Sequence, residues 1–219
     1  MVILATKVYG GQHARARQSL EAILRDQLGE LTIEYEVGIR RDGFPSVTLE
    51  GEDAIAAHNL LAAEWGELPG HLEDGETYRG ILTDWSDEGF TVAVGEPVLI
   101  EADELDLGAG SPEQIATRFG LVRNLPVEIE YGETPTLSAA ELDRLYGWQR
   151  GPGRVNANSI TRGQLRATLN RAGHAEDVQT IERLGLLEQS VILEEGTDPP
   201  GIIANIGPYV PGELAAVIP

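Results

Sequence analysis

Residues Arg144 to Ala175 read RLYGWQRGPGRVNANSITRGQLRATLNRAGHA, and the way this stretch divides decides how the last third of the chain folds. A helix runs into it, and Gly151-Pro152-Gly153 breaks that helix. Val155 to Ser159 reads as a polar loop. Thr161-Arg162-Gly163-Gln164 is a capping box that opens a second helix with Leu165, Leu169 and Ala172 on its apolar face. The stretch carries Arg144, Arg150, Arg154, Arg162, Arg166 and Arg171 but no Asp or Glu. The whole chain has 16 basic and 36 acidic residues and a formal net charge of −20, so every acid lies outside it. The simplest physical reason for keeping carboxylates away is an anionic partner.

Working outward, Ser138-Ala139-Ala140-Glu141 is a capping box opening the helix that continues through Trp148. Downstream, Ala175 to Leu184 reads as a third helix stopped by Gly185. Leu187 to Glu194 and Ile202 to Ile206 read as two strands around a Gly196–Pro200 turn. Three helices followed by a hairpin is the order of a winged helix, so 137–219 is expected to be a helical, winged-helix-like domain. Its third helix would carry Glu176, Asp177 and Glu182 against Arg183, a charge that opposes phosphate. Contact with a polyanion would therefore fall to the preceding loop and helix.

The first 68 residues follow the order βαββα. Val2 to Tyr9 is a β-branched apolar run, and Gly10-Gly11 breaks it. Ala14 to Leu28 has helical apolar spacing, and Thr32 to Arg40 and Phe44 to Leu49 flank an Asp42-Gly43 turn. Asp53 to Trp65 is a second helix. This is a ferredoxin-like module without its last strand. After a Pro/Gly/acid linker, residues 76–132 carry short strands at Tyr78–Asp84, Phe90–Val94, Val98–Ile100 and Pro126–Tyr131. A helix is capped there by Ser111-Pro112-Glu113-Gln114. That pattern fits an OB-like β-barrel, and the fold class expected for the whole chain is α+β.

The central segment resembles a known family through Gly80-Ile81-Leu82, Gly89-Phe90-Thr91-Val92-Ala93-Val94-Gly95, Val98-Leu99-Ile100 and Glu104-Leu105. These are similar to the OB-fold RNA-binding repeat of the largest bacterial small-subunit ribosomal protein. The resemblance implies a barrel whose second and third strands present aromatic side chains and a His to RNA. This chain has Glu88, Thr91 and Glu101 at those positions, so stacking is lost and carboxylates face phosphate. As a whole the chain also resembles an archaeal family known only as a domain of unknown function.

Composition narrows the chemistry. Cysteine is absent, which excludes disulfides, thiolate metal sites and cysteine nucleophiles. Lys7 is the one lysine, and acid enrichment with so little lysine reads as adaptation to a saline, archaeal cytoplasm. At such salt the Debye length is about 3 Å, so a basic patch must work by direct Arg–phosphate contacts. No apolar run reaches the length of a bilayer span, and the expected location is cytoplasmic without membrane association.

The candidate binding residues are Trp148, for stacking, and Arg150, Arg154, Asn156, Asn158, Arg162 and Arg166, for phosphate and base edges. Arg15 and Arg17, in an acid-free zone that ends at Glu21, would extend the same surface. The structural alternative is that these arginines pair with acids elsewhere or lie along apolar surface. No catalytic motif, metal set or cofactor fingerprint is present, and His13, His58, His71 and His174 are scattered. The expected function is non-catalytic nucleic-acid binding, with RNA or a ribonucleoprotein as partner in translation or RNA handling. The alternatives are an enzyme or metabolite-binding protein clamping a small anion with the same arginines, and an adaptor docking an acidic protein.

Overall fold

A computed structural model describes residues 1–219 as an α+β protein with six α-helices and three antiparallel sheets. The first unit comprises β1 (Val2–Ile3), α1 (His13–Leu28), β2 (Ile33–Ile39), β3 (Pro45–Gly51) and α2 (Ala54–Trp65), with strand order β1-β3-β2. Ala16, Leu20, Leu24 and Leu28 recur every fourth residue along α1. They bury against Val47 of β3 and Leu61 and Trp65 of α2. Pro45, which lacks a donor, opens the central strand of this sheet. The strand expected over residues 2–9 is regular for only two residues. Beyond them Leu4 forms a single antiparallel bridge to Glu67, with Leu68 N–H donating to Ile3 O at 2.9 Å. The β2–β3 turn needs Gly43, whose φ is +89° and where a Cβ would stand 2.6 Å from Val8 O.

The second unit is a sheet curled into a half-barrel. It contains β4 (Thr77–Ser86), β5 (Gly89–Ala93), β6 (Pro97–Glu101), β7 (Leu125–Glu130) and β8 (Thr136–Leu137) in the order β6-β5-β4-β7-β8. The curl brings the edge strands β6 and β8 within 8 Å, Cα to Cα, without joining them. Gly80, in β4, lies where a Cβ would meet Val94 Cγ1 at 2.4 Å, so the strand can bend over the core. α3 (Pro112–Arg118) carries the complete Ser111–Gln114 capping box. α4 (Ala139–Arg150), capped by Ser138, places Leu145 and Trp148 in the same core as Phe90, Ile100 and Phe119.

The third unit differs from the expected winged-helix order. It contains β9 (Arg154–Ala157), α5 (Arg162–Arg171), β10 (Val178–Arg183), β11 (Gln189–Leu193), α6 (Pro199–Ile206) and β12 (Leu214–Val217), with strand order β10-β11-β9-β12. The expected helix at Ala175–Leu184 is strand β10, where Val178, Thr180 and Ile181 pair with β11. The expected strand at Ile202–Ile206 is α6. Asp198 caps it, Pro199-Pro200 fill its first turn, and Ile202 and Ile206, one turn apart, share its buried face. The expected loop at Val155–Ser159 holds β9, an inner strand buried along its whole length. Val155 and Ala157 face the core of this unit, while Asn156 reaches the half-barrel, donating to Gly120 O at 2.7 Å.

One short turn joins the units. Between β10 and β11, Leu186 and Leu187 enter the core of the first unit, and Leu184 enters the core of the second. Thr6 Oγ1 accepts from Leu186 N–H at 2.9 Å. No helix is long and apolar enough to cross a membrane. Leu187→Ala should lower unfolding stability by about 2–5 kcal/mol, the cost of a cavity at a site with no exposure, as read by urea denaturation. A loss below about 1 kcal/mol would mean that the turn does not belong to the core.

Candidate functional site

The arginines of residues 144–175 fall into two groups. Arg144 and Arg154 stand over the Trp148 ring, each with its guanidinium carbon 5.0 Å from the ring centroid. Arg144 also donates to Pro126 O at 2.9 Å and pairs with the buried Glu141 carboxylate. Arg154 is 8% exposed and donates to Ser190 Oγ at 3.1 Å and Glu182 Oε2 at 3.3 Å. Burial pulls its guanidinium below the ordinary arginine range, and Glu182 opposes that shift. Trp148, at 4% exposure, is a core ring carrying cations rather than a platform for a base.

Asn156 and Asn158 are likewise structural. Asn156 has no exposure. Asn158 Nδ2 donates to Arg123 O and to Glu213 Oε2, and its Oδ1 accepts from Glu213 N–H at 2.7 Å. The Glu213 carboxylate in turn holds Arg123, whose side chain also bonds Asp84 and stands over Trp85. These contacts pin β12 and the β9–α5 link to the half-barrel. Trp148, Arg154, Asn156 and Asn158 therefore leave the set of residues free to meet a ligand.

The second group is Arg150, Arg162, Arg166 and Arg171, all exposed and without an ion-pair partner. The capping box at Thr161 and Gln164 starts α5, whose first turn has no acid. Arg162, Arg166 and Asn170 follow at four-residue intervals beside the buried Leu165 and Leu169. Between α5 and β10 lies a groove lined by Arg166, Leu169, Asn170, Ala175, Val178, Gln179, Thr180 and Ile181. Arg15 is exposed and unpaired, whereas Arg17 is tied to Glu21 one turn on, at 2.8 Å. The Tyr9 hydroxyl accepts from Ser159 N–H at 3.0 Å, so the segment leading into α1 touches the segment leading into α5.

The half-barrel offers no comparable surface. Asp87, Glu88, Glu101 and Asp103 surround exposed Leu99 on the outer side of β5 and β6. The outer face of the first sheet carries Glu34 and Glu50 directly opposite each other, with Glu36 beside them. His58 pairs with Glu67 and His174 with Asp177, and no three His, Asp or Glu side chains converge as metal ligands.

One buried group escapes a reading of the sequence. Glu188 has no exposure, and its carboxyl is held by the Tyr9 hydroxyl and by Leu187 N–H. Burial pushes Glu188 up to about 8, and the same burial, with Glu188 as neighbour, raises the Tyr9 phenol above its ordinary value. The only signal in the sequence is an acid directly following the apolar Leu184-Gly185-Leu186-Leu187.

With these contacts in view, comparison with known families is informative. The N-terminal, central and C-terminal domain models of one family, DUF2110, match residues 1–71, 72–149 and 152–218 in that order. The chain belongs to the DUF2110 family. Its central domain ends at residue 149, in the last turn of α4, in keeping with Trp148 lying in the half-barrel core, and its C-terminal domain begins at the glycine-proline break. No curated protein matches the chain.

Because the folded Glu188 holds its proton more tightly than an unfolded glutamate, the stability it protects is complete below its ordinary value near 4.5. It drains away as pH rises through about 8. Unfolding free energy should therefore fall between these limits by up to about 1.4 kcal/mol per pH unit. Glu188→Gln should flatten that segment of the curve and be the more stable form at pH 8 and above. A wild-type profile indistinguishable from that of Glu188→Gln would refute the assignment.

Proposed function

We propose that this DUF2110 chain is a non-catalytic nucleic-acid-binding protein, with RNA favoured, acting in translation or RNA handling. Arg162 and Arg166 on α5, supported by Arg150 and Arg171, contact phosphate. The observation that carries this reading is the isolation of four exposed guanidiniums in a molecule with 36 acids. A mobile carboxylate could neutralise any of them, yet none stands within ion-pair distance. A free guanidinium presents a planar fork that fits phosphate bidentately. Arg15 extends the footprint across the Tyr9–Ser159 contact to the start of α1.

RNA is favoured over DNA because β10 stands where the expected recognition helix would have been, leaving no winged-helix element to enter a major groove. We read the half-barrel as OB-like and the first unit as ferredoxin-like, with the Leu4–Glu67 bridge as the remnant of its fourth strand. Both sheets carry carboxylates on their outer faces, so binding belongs to α5 rather than to either sheet. The acid-rich, lysine-poor composition fits a halophilic, archaeal cytoplasm, where only short contacts survive screening.

The test is ultraviolet crosslinking in cells at native salt, followed by sequencing of the recovered RNA. Arg150→Glu combined with Arg162→Glu should cut the RNA yield by roughly tenfold or more, since each reversal loses one phosphate contact and adds a repulsion. An unchanged yield would sink the proposal.

A further inference from the structure

We infer that the groove between α5 and β10 seats the base of one unpaired nucleotide, so that the protein takes single-stranded RNA in preference to duplex. This rests on the reading of α5 as the phosphate-binding element. The groove's lining is a mixture that a nucleobase requires. Leu169, Val178 and Ile181 supply an apolar floor for the ring faces, and Asn170 and Thr180 supply an amide and a hydroxyl for its polar edge, with the Gln179 side-chain oxygen beside them and its nitrogen held by Glu194. Arg166 stands at the same groove, and Arg162 lies one turn before it on α5. Phosphate and base can therefore be held together.

The lining contains no carboxylate, and two of the four nearby acids, Asp177 and Glu182, are engaged elsewhere. Asp177 is turned to His174 at 2.7 Å, Glu182 to Arg154, and Glu194 to the Gln179 side-chain amide at 3.3 Å. Glu176, one residue beyond Ala175, is exposed and unpaired. The groove measures about 140 Å³, below the roughly 300–1,000 Å³ of sites that enclose drug-sized ligands, so it has room for one ring system rather than a whole cofactor. β10 is also the edge of its sheet, leaving backbone N–H and C=O groups along the groove without a partner strand. In an RNA duplex the polar base edges are turned inward, whereas an unpaired base can be splayed into such a groove and read by Asn and Gln.

Fluorescence anisotropy with one labelled oligoribonucleotide, free or annealed to its complement, tests the inference. Wild-type protein should bind the single strand at least roughly tenfold more tightly than the duplex. Asn170→Ala combined with Gln179→Ala, and separately Thr180→Leu to fill the groove, should each bring single-strand affinity down to the duplex level. All three positions are exposed, so the fold should tolerate these changes, and circular dichroism with melting checks that it does. Arg162→Glu with Arg166→Glu should abolish binding of both forms. Equal wild-type affinity for the two forms, or full single-strand preference in both groove variants, overturns this inference while leaving α5 as the phosphate-binding element. Failure of the wild type to bind either form overturns the proposed function itself.

Discussion

The structure depends on one short turn, Leu184 to Glu188, being buried on every side. Leu184 fills the half-barrel core, and Leu186 and Leu187 fill the N-terminal core. Glu188 reaches back to Tyr9, and Gly185 has no room for a Cβ between the Glu188 carboxyl and Pro126. A carboxylate buried at such a junction would be costly if charged, so burial raises its affinity for a proton, and the Tyr9 hydroxyl serves as its partner. Arg79 closes the junction from the half-barrel side, donating to Glu64 O of the first unit and Leu184 O of the third, each at 3.0 Å. Arg183 adds an ion pair to Glu64 and stands over Trp65. Three small units that could each bury only a modest core are thereby fastened to one another.

That junction explains how the arginines are divided. Arg123, Arg144, Arg154 and Arg183 lay flat guanidiniums against tryptophan rings, and Arg79, Arg123 and Arg183 use their donors on carbonyls and carboxylates of another unit. Those away from it, on the outer side of α5 and at the end of α4, have no such duty and keep their donors free. One residue type thus supplies both the fastening and the proposed ligand contacts. Position relative to the core, rather than residue identity, separates the two roles.

Most elements of the first 131 residues were legible because each has one face on a core and one in solvent. Apolar spacing on α1, the Asp42-Gly43 turn and the capping box at Ser111 carry local information that tertiary contacts reinforce. The C-terminal unit was less legible because burial there is two-sided. β9 alternates polar Arg154 and Asn156 with apolar Val155 and Ala157, but the run is only four residues long and its polar face is buried as well, so it reads as a polar loop rather than as an inner strand. Ile202 and Ile206 look like part of a strand until the Asp198 cap and the prolines behind it set a helix. The residues put forward from the sequence divide by exposure. Arg150, Arg162 and Arg166 are exposed and unpaired, while Trp148, Arg154, Asn156 and Asn158 lie inside.

The sequence by itself determined the α+β class, the helix starts at Ser111, Ser138 and Thr161, and the acid-free character of residues 144–175. Each of these rests on side chains acting within a few residues of one another, or on simple counting. Only the tertiary structure decided which arginines are free, that Val178–Arg183 is a strand, and that Glu188 is buried against the Tyr9 hydroxyl. Those outcomes depend on packing beyond the local stretch, from the neighbouring strand β11 for Val178–Arg183 to Tyr9, more than a hundred residues away, for Glu188. Desolvation and donor satisfaction are properties of that arrangement, and no local stretch of sequence contains them.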